Sequence, residues 1–225
     1  MEIRGLLFDM CGVLYDDSAW NRWLLQLLQR MGLHTHYDAF YALWSHEYSE
    51  PGGENQPDYW SALRAYLKSA GLSDPQIDEV KAASYGRWIQ SRRHLRLFPG
   101  VARTLTMLAQ RGLPLGIVAR TDHHIEEVRR RVAQLGLAGR FQSVQACGSS
   151  DQISESFRQA WSQLRVEPSR GAYVASHPLS RRNAHDHCGR IISFNSDSDS
   201  HTRHRLRRFE ELIEMVESHQ HRLAG

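Results

Sequence analysis

Two hydrophobic periods alternate along this chain. Ile3 to Phe8 is an apolar run broken only by Arg4 and Gly5, and its length suits a central parallel strand. From Ser18 the period changes. Trp20, Trp23, Leu24, Leu27, Leu28 and Met31 recur at spacings of three and four, the mark of one helix face, and Gly32 can close that helix. Residues 37–94 carry no strand pattern. Ala39 to Glu47 is helix-like, Ser49 to Pro57 reads as a loop, and Trp60, Leu63, Tyr66 and Leu67 mark a helix ending near Gly71. "SDPQ", Ser73 to Gln76, then starts another helix: Ser73 can cap, Pro75 is tolerated in a first turn, and Gln76 can close a capping box. Ile77, Val80 and Ser84 continue its inner face. A helical block over residues 17–94 therefore interrupts an α/β part made of residues 1–16 and 95–225.

In that second α/β stretch, Val101 to Gln110 is helical, with Leu105 and Leu108 inward, and Gly112 ends it. Leu113 to Ala119 is strand-like. Ile125, Val128, Val132 and Leu135 share a helix face that stops near Gly136. Short strands follow at Phe141 to Val144, Ala172 to Ala175 and Ile191 to Phe194. Phe157, Ala160, Trp161 and Leu164 mark a helix between the first two of these. A last helix runs near Arg208 to Ser218, with Phe209, Leu212, Ile213 and Val216 inward. Strands alternating with helices predict an α/β fold with a parallel sheet and right-handed crossovers.

Composition narrows the functional classes. A chain of 225 residues can bury one core plus a modest second unit. It has no run near the roughly 18 apolar residues of a membrane span, so no membrane partner is expected. The N-terminus enters a strand with no leader pattern, which predicts a soluble, cytoplasmic protein. The formal net charge is +3, and arginines are dispersed rather than interleaved with aromatics, so no nucleic acid partner is expected. Cys11, Cys147 and Cys188 are too few and too far apart for a disulfide scaffold or a zinc knuckle. No pair among the histidines follows a zinc spacing.

The chemistry concentrates at "LLFDMCGVLYDD". Asp9 ends the first strand, and the carboxyl ends of parallel strands face the crevice where such sheets bind ligands. A carboxylate there can attack phosphorus or carbon to form an ester, or it can brace a loop. Gly12 permits a tight reversal after it. This stretch resembles the first motif of the haloacid dehalogenase-like (HAD) superfamily. "LFPGVARTLTMLAQRGLPLGIVARTD", Leu97 to Asp122, resembles the part carrying the second motif, and the helical block sits where that family places its cap. The resemblance implies a Rossmann-like three-layer core with an inserted all-helical cap. It also implies a catalytic aspartate at Asp9 and, in most members, magnesium-dependent phosphatase activity.

The motifs depart from the family pattern. Cys11 stands where the phosphatases have a second aspartate that protonates the leaving group. An unperturbed thiol, with a pKa near 8.5, can donate a proton but cannot act as a base at neutral pH. As a nucleophile in its own right, Cys11 would need a basic partner such as His123 or His177; otherwise it is an inert small residue. Ala119 replaces the phosphate-holding Ser or Thr of the second motif, and Arg120 follows it. The lysine of the third motif falls at Asp151, and no lysine follows Lys81. In the fourth motif, within "YVASHPLSRRN", Ala175 and Ser176 replace glycine and aspartate, and Ser180 or Arg181 falls at the later acid. Magnesium prefers carboxylate oxygens, and only Asp9 and one backbone carbonyl remain.

These residues predict a divergent member that is not a standard magnesium-dependent phosphatase, either non-catalytic or ligand-binding. Asp9 and Cys11 are the candidate catalytic residues. Arg120, Ser176, His177 and Arg181 are candidates for holding a small anionic ligand. No cofactor is expected beyond weak Mg2+ binding at Asp9. Two enzyme readings stay open: a hydrolase using Asp9 on a phosphate ester or, without metal, on a 2-haloacid, and a Cys11-dependent enzyme. The aromatics of the helical block fit its own core, an apolar pocket or a homodimer face.

Overall fold

The computed structural model describes residues 2–16, 18–34, 59–93, 95–121, 124–147, 150–194 and 204–221. The helix expected at Ala39 to Glu47 and the loop at Ser49 to Pro57 lie outside the described residues, as do His123 and residues 195–203. The chain divides into two compact units, Met1–Asp16 with Arg96–Gly225, and Asp17–Leu95.

The larger unit is built on β1 (Gly5–Phe8), β2 (Leu115–Arg120), β3 (Ser143–Cys147), β4 (Gly171–Ala175), β5 (Arg190–Phe194) and β6 (Arg205–Leu206). They form one sheet in the order β3-β2-β1-β4-β5-β6. Every pairing is parallel. Parallel strands carry helices on their faces, so β1 and β4 are buried at every position. That is why they read as unbroken apolar runs. The expected alternation of strands and helices is present, and the fold is a Rossmann-like three-layer α/β core.

Successive β residues serve opposite faces. On one face Leu7, Val118, Tyr173 and Ala175 pack with Ile153, Phe157, Ala160, Trp161 and Leu164 of a helix at Ser150–Leu164, and with Ala184, which ends a short helix at Pro178–Ala184. On the other face Phe8 stacks on Phe209 with ring centroids 6.0 Å apart. Phe209 in turn meets Phe194 edge-on at 5.3 Å. Each fully buried side chain of this kind contributes roughly 1.5–3 kcal/mol.

Between the strands run Val101–Gln110 and Ile125–Gln134, and Glu211–His221 closes the unit. Val101, Thr104, Leu105 and Leu108 are buried along the first of these, at the spacing of a single helix face. In chain order the helices of this unit are α4 (Val101–Gln110), α5 (Ile125–Gln134), α6 (Ser150–Leu164), α7 (Pro178–Ala184) and α8 (Glu211–His221).

The smaller unit is helical where described: α1 (Ser18–Arg30), α2 (Tyr59–Ser69) and α3 (Asp74–Arg93). Trp20, Leu24, Leu28, Leu63, Tyr66, Leu67, Ile77 and Val80 form its core. The expected start at Ser73 is seen. Gln76 Oε1 accepts both the Ser73 backbone N–H and its hydroxyl at 2.9 Å, and the Ser73 carbonyl accepts the Ile77 N–H. Among the described residues no helix is long and apolar enough to cross a membrane.

Candidate functional site

The strand order places the site. The chain steps outward from β1 to β2 and β3, then returns to the opposite side of β1 at β4. Ligands bind such sheets at the carboxyl ends of the strands where the order reverses, here between β1 and β4. Asp9 follows the last residue of β1 and is 6% exposed. Its N–H extends the β1–β4 ladder by donating to the Val174 carbonyl at 2.9 Å. Its Oδ1 accepts the Met10 N–H at 2.8 Å, so one carboxylate oxygen is oriented by the backbone.

The next residues fold back on themselves. The Gly12 N–H donates to the Tyr15 carbonyl at 3.0 Å, and Leu14 to Met10 at 2.9 Å. Gly12 has a φ of +70°, a left-handed conformation that a side chain strains. A Cβ there would also run into the Ser176 hydroxyl and lie 3.1 Å from Ser176 Cβ. The turn thus brings the loop after β1 against the residue that follows β4. Ser176 Oγ donates to the Cys11 carbonyl at 3.3 Å. Cys11 Sγ and Tyr15 Oη are 2.8 Å apart, and either can be the donor.

Arg181 stands in α7, one turn after Ser176, and is 3% exposed. Its Nη1 donates to the Ser176 carbonyl at 3.1 Å and to Ser193 Oγ at 2.8 Å. Its backbone N–H bonds the His177 carbonyl at 3.1 Å. A chain of hydrogen bonds therefore runs from the loop after Asp9, through Ser176, to Arg181 and on to β5. The guanidinium, a candidate for holding an anion, bonds Ser176 and Ser193 within the protein.

The remaining candidates divide. His177 is half-buried beside Ser176. Ala119 is buried in β2 and its carbonyl accepts the Cys147 thiol at 3.5 Å. Arg120 ends β2 opposite Cys147, and Asp151 opens α6; the side chains of both are outside the described residues. Asp186 is the acid nearest the fourth motif. It falls in the turn after α7 and pairs with His185 at 2.9 Å, both exposed. The His185 contact holds its carboxyl below the usual range.

Tyr15 and Ser193, which bond the candidates Cys11 and Arg181, were not singled out by the sequence. Tyr15 was hidden in the apolar tail of the first motif. Ser193 left a faint signal, a lone hydroxyl inside "IISF".

Magnesium takes about six oxygen ligands in octahedral geometry. The Cys11 carbonyl already accepts a hydrogen bond from the Ser176 hydroxyl, and Ser176 and, at the later position, Ser180 or Arg181 fall where the family resemblance implies acids. Among the described residues no three of His, Cys, Asp and Glu come together as a metal-holding group. The donor set does not fit the ion.

Known structures share this architecture. A putative β-phosphoglucomutase from Thermotoga maritima is 17% identical with a TM-score of 0.66, covering 97% of this chain and 99% of that one. An L-2-haloacid dehalogenase is 19% identical with a TM-score of 0.65, covering 96% and 100%. A HAD family hydrolase from Deinococcus radiodurans, with bound phosphate and sodium, is 15% identical with a TM-score of 0.72, covering 97% and 96%. At these identities the likeness is one of fold. Among curated proteins none matches this chain. The family model described as haloacid dehalogenase-like hydrolase matches residues 3–215, and with the β1–β4 site and the inserted helical cap this places the chain in the haloacid dehalogenase-like superfamily.

Proposed function

We propose that this protein is a divergent member of the superfamily that keeps the aspartate at the crevice without the apparatus of a magnesium-dependent phosphatase, and that it binds a small anion rather than turning over a phosphate ester. The observation that carries this reading is the Ser176 hydroxyl on the Cys11 carbonyl, 3.3 Å away. An oxygen that could face a metal ion instead accepts a hydrogen bond from a neutral side chain. Phosphoryl transfer depends on positioning and on neutralising charge. At the third motif the sequence offers Asp151 in place of a cation, and at the second Ala119 in place of a hydroxyl. Cys11 cannot serve as a general base in neutral form, and its Tyr15 neighbour adds no base. The candidate anion ligands are residues at the strand ends, Arg120 of β2 and His177 after β4; Ser176, also a candidate from the sequence, donates its one O–H to the Cys11 carbonyl. In this reading Arg181 supports them by holding the Ser176 carbonyl.

A second reading is favoured by the placement of Asp9. It is buried at the point where strand order reverses, with one oxygen fixed by the Met10 amide. That is a suitable posture for metal-free attack on the carbon of a 2-haloacid. One assay separates the two: hydrolysis of p-nitrophenyl phosphate and of 2-chloropropionate, with and without Mg2+, in the wild type and in Asp9→Asn. The first reading expects the two proteins to be indistinguishable with both compounds. Halide release that vanishes in Asp9→Asn would favour the second reading, and Mg2+-dependent phosphate release that vanishes would overturn both.

A further inference from the structure

The helical unit holds a cleft lined by its own residues. In α2, Trp60, Leu63, Arg64 and Leu67 fall at spacings of three and four, so one stripe of the helix carries them all. In α3, Ile77 and Lys81 stand one turn apart. These six residues line a cleft of about 170 Å³. Leu63, Leu67 and Ile77, none more than 3% exposed, give it an apolar floor. Trp60 gives a half-buried aromatic wall, its ring met edge-on by Trp88 at 5.6 Å and at a tilt by Tyr85 at 5.9 Å.

The two cations of the lining are not equivalent. Arg64 bonds Asp78 at 3.1 Å and Asp74 at 2.8 Å, which answers its charge twice and ties α2 to α3. Asp74 is shared with Lys68 at 3.5 Å. Lys81 is exposed and, among the described residues, pairs with no carboxylate. We propose that this cleft is a second binding site, for a small aromatic carboxylate, with the ring against Trp60 over the apolar floor and the carboxylate on Lys81. Volume sets the size of the ligand. A dry apolar cavity of about 150 Å³ accommodates benzene, so this cleft matches one ring. Charge sets the sign, because Lys81 is the cation left to answer. An apolar body held by one placed polar group is the usual composition of a small-molecule site, and an indole favours an aromatic partner edge-on or offset.

Three probes separate ring from charge: phenylacetate, its neutral isostere phenylacetamide, and acetate, which has no ring. Saturation-transfer NMR on the full chain is expected to show saturable phenylacetate binding with a dissociation constant on the order of 1 mM, and none for acetate. Lys81→Gln is expected to weaken phenylacetate about 2- to 5-fold and to leave phenylacetamide unchanged, and Lys81→Arg to restore the carboxylate. Trp60→Ala is expected to abolish binding of both ring compounds. Arg120→Gln is expected to change neither, which separates this cleft from the anion site proposed at the strand ends.

Circular dichroism establishes that each variant is folded. Lys81 is exposed, so its substitutions decide even if Trp60→Ala fails to fold. Absence of saturable phenylacetate binding up to about 20 mM would overturn the inference. So would equal affinity in the wild type and Lys81→Gln, or binding lost in Arg120→Gln. A second copy of this chain is the rival occupant. Sedimentation velocity showing a dimer that substitution of exposed Tyr85 by serine dissociates, without phenylacetate binding, would also overturn it.

Discussion

Gly12 and Ser176 constrain one another. The positive φ at Gly12 allows the loop after Asp9 to reverse, and the missing side chain leaves room for the Ser176 hydroxyl. Gly12→Ala is expected to destabilise the protein by roughly 1–3 kcal/mol, from backbone strain and from displacing Ser176. Urea unfolding checks this, and Ser176→Gly in the same background should recover part of the loss.

Cys188 supplies a pH-dependent case. Burial pushes its thiol from 9.0 up to about 11, and the carbonyls of Ala184 and Arg190 are both within reach of its one S–H. The folded state thus binds the proton more tightly than the unfolded chain. The contribution is complete below the unfolded value and is lost as pH rises from about 9 through 11. Unfolding free energies at pH 8 and pH 11 should fall less for Cys188→Ala than for the wild type. An equal fall would contradict the assignment.

At this scale the sequence offered Asp9, Cys11 and Ser176 as candidates by their offsets in motifs, and the fold brings the last two together in one hydrogen bond. Ser193 and Tyr15 drew no notice in the sequence, since their contacts depend on partners 12 residues away on the preceding helix and 4 residues away around a tight turn.

Among the elements, the contact of α6 with the sheet is the most exacting. Gly5 and Gly171 lie side by side in β1 and β4. A Cβ on Gly171 would enter the Trp161 ring, and one on Gly5 would come within 2.8 Å of Val166. Gly171 lets the helix bring the Trp161 indole onto β4, where its Nε1 donates to the His187 carbonyl at 2.7 Å, and Gly5 beside it leaves room for Val166 just after the helix. Gly171→Ala is expected to cost about 1–3 kcal/mol by overpacking, and the penalty should shrink in a Trp161→Leu background. Paired thermal melts of the four proteins test this coupling.

The same contact explains a difference from expectation. Gly5 looked like an interruption inside a strand starting at Ile3, whereas β1 begins at Gly5. Glycine lowers strand propensity locally, but here it is selected by close packing, which periodicity does not reveal. β3 moved in the other direction. Expected over Phe141 to Val144, it runs Ser143–Cys147, because pairing with Gly116 to Arg120 of β2 fixes its register. Polar Gln145 hid its second half. β6, two residues long, and the short 3-10 turn at Pro168–Arg170 carry too few residues to show a period. The helices were plainer. Ser73 to Gln76 announced α3, and Ser73→Ala should cost roughly 1 kcal/mol in urea unfolding by removing the hydroxyl bond to Gln76.

At the scale of the whole molecule, the order β3-β2-β1-β4-β5-β6 makes a crevice beside β1 whatever side chains line it. The fold was legible because it follows from repeated alternation of strand and helix. The chemistry is a separate matter, since a shared architecture is compatible with many activities and with none. The local arrangement is particular: Ser176 bonds the Cys11 carbonyl, buried Arg181 bonds the Ser176 carbonyl, and a thiol stands beside Tyr15 two residues after Asp9. Under the proposed reading, this arrangement leaves Asp9 without the metal and the proton carrier that phosphoryl transfer would require.

The most direct test needs no knowledge of a substrate. A competent aspartate nucleophile with its metal forms and hydrolyses a phosphoaspartate from inorganic phosphate, and each cycle exchanges phosphate oxygen with water. Loss of oxygen-18 from labelled phosphate in Mg2+ buffer, followed by phosphorus-31 NMR, reads that cycle directly. The account predicts the background rate, equal in the wild type and in Asp9→Asn. Magnesium-dependent exchange in the wild type that disappears in Asp9→Asn would contradict it.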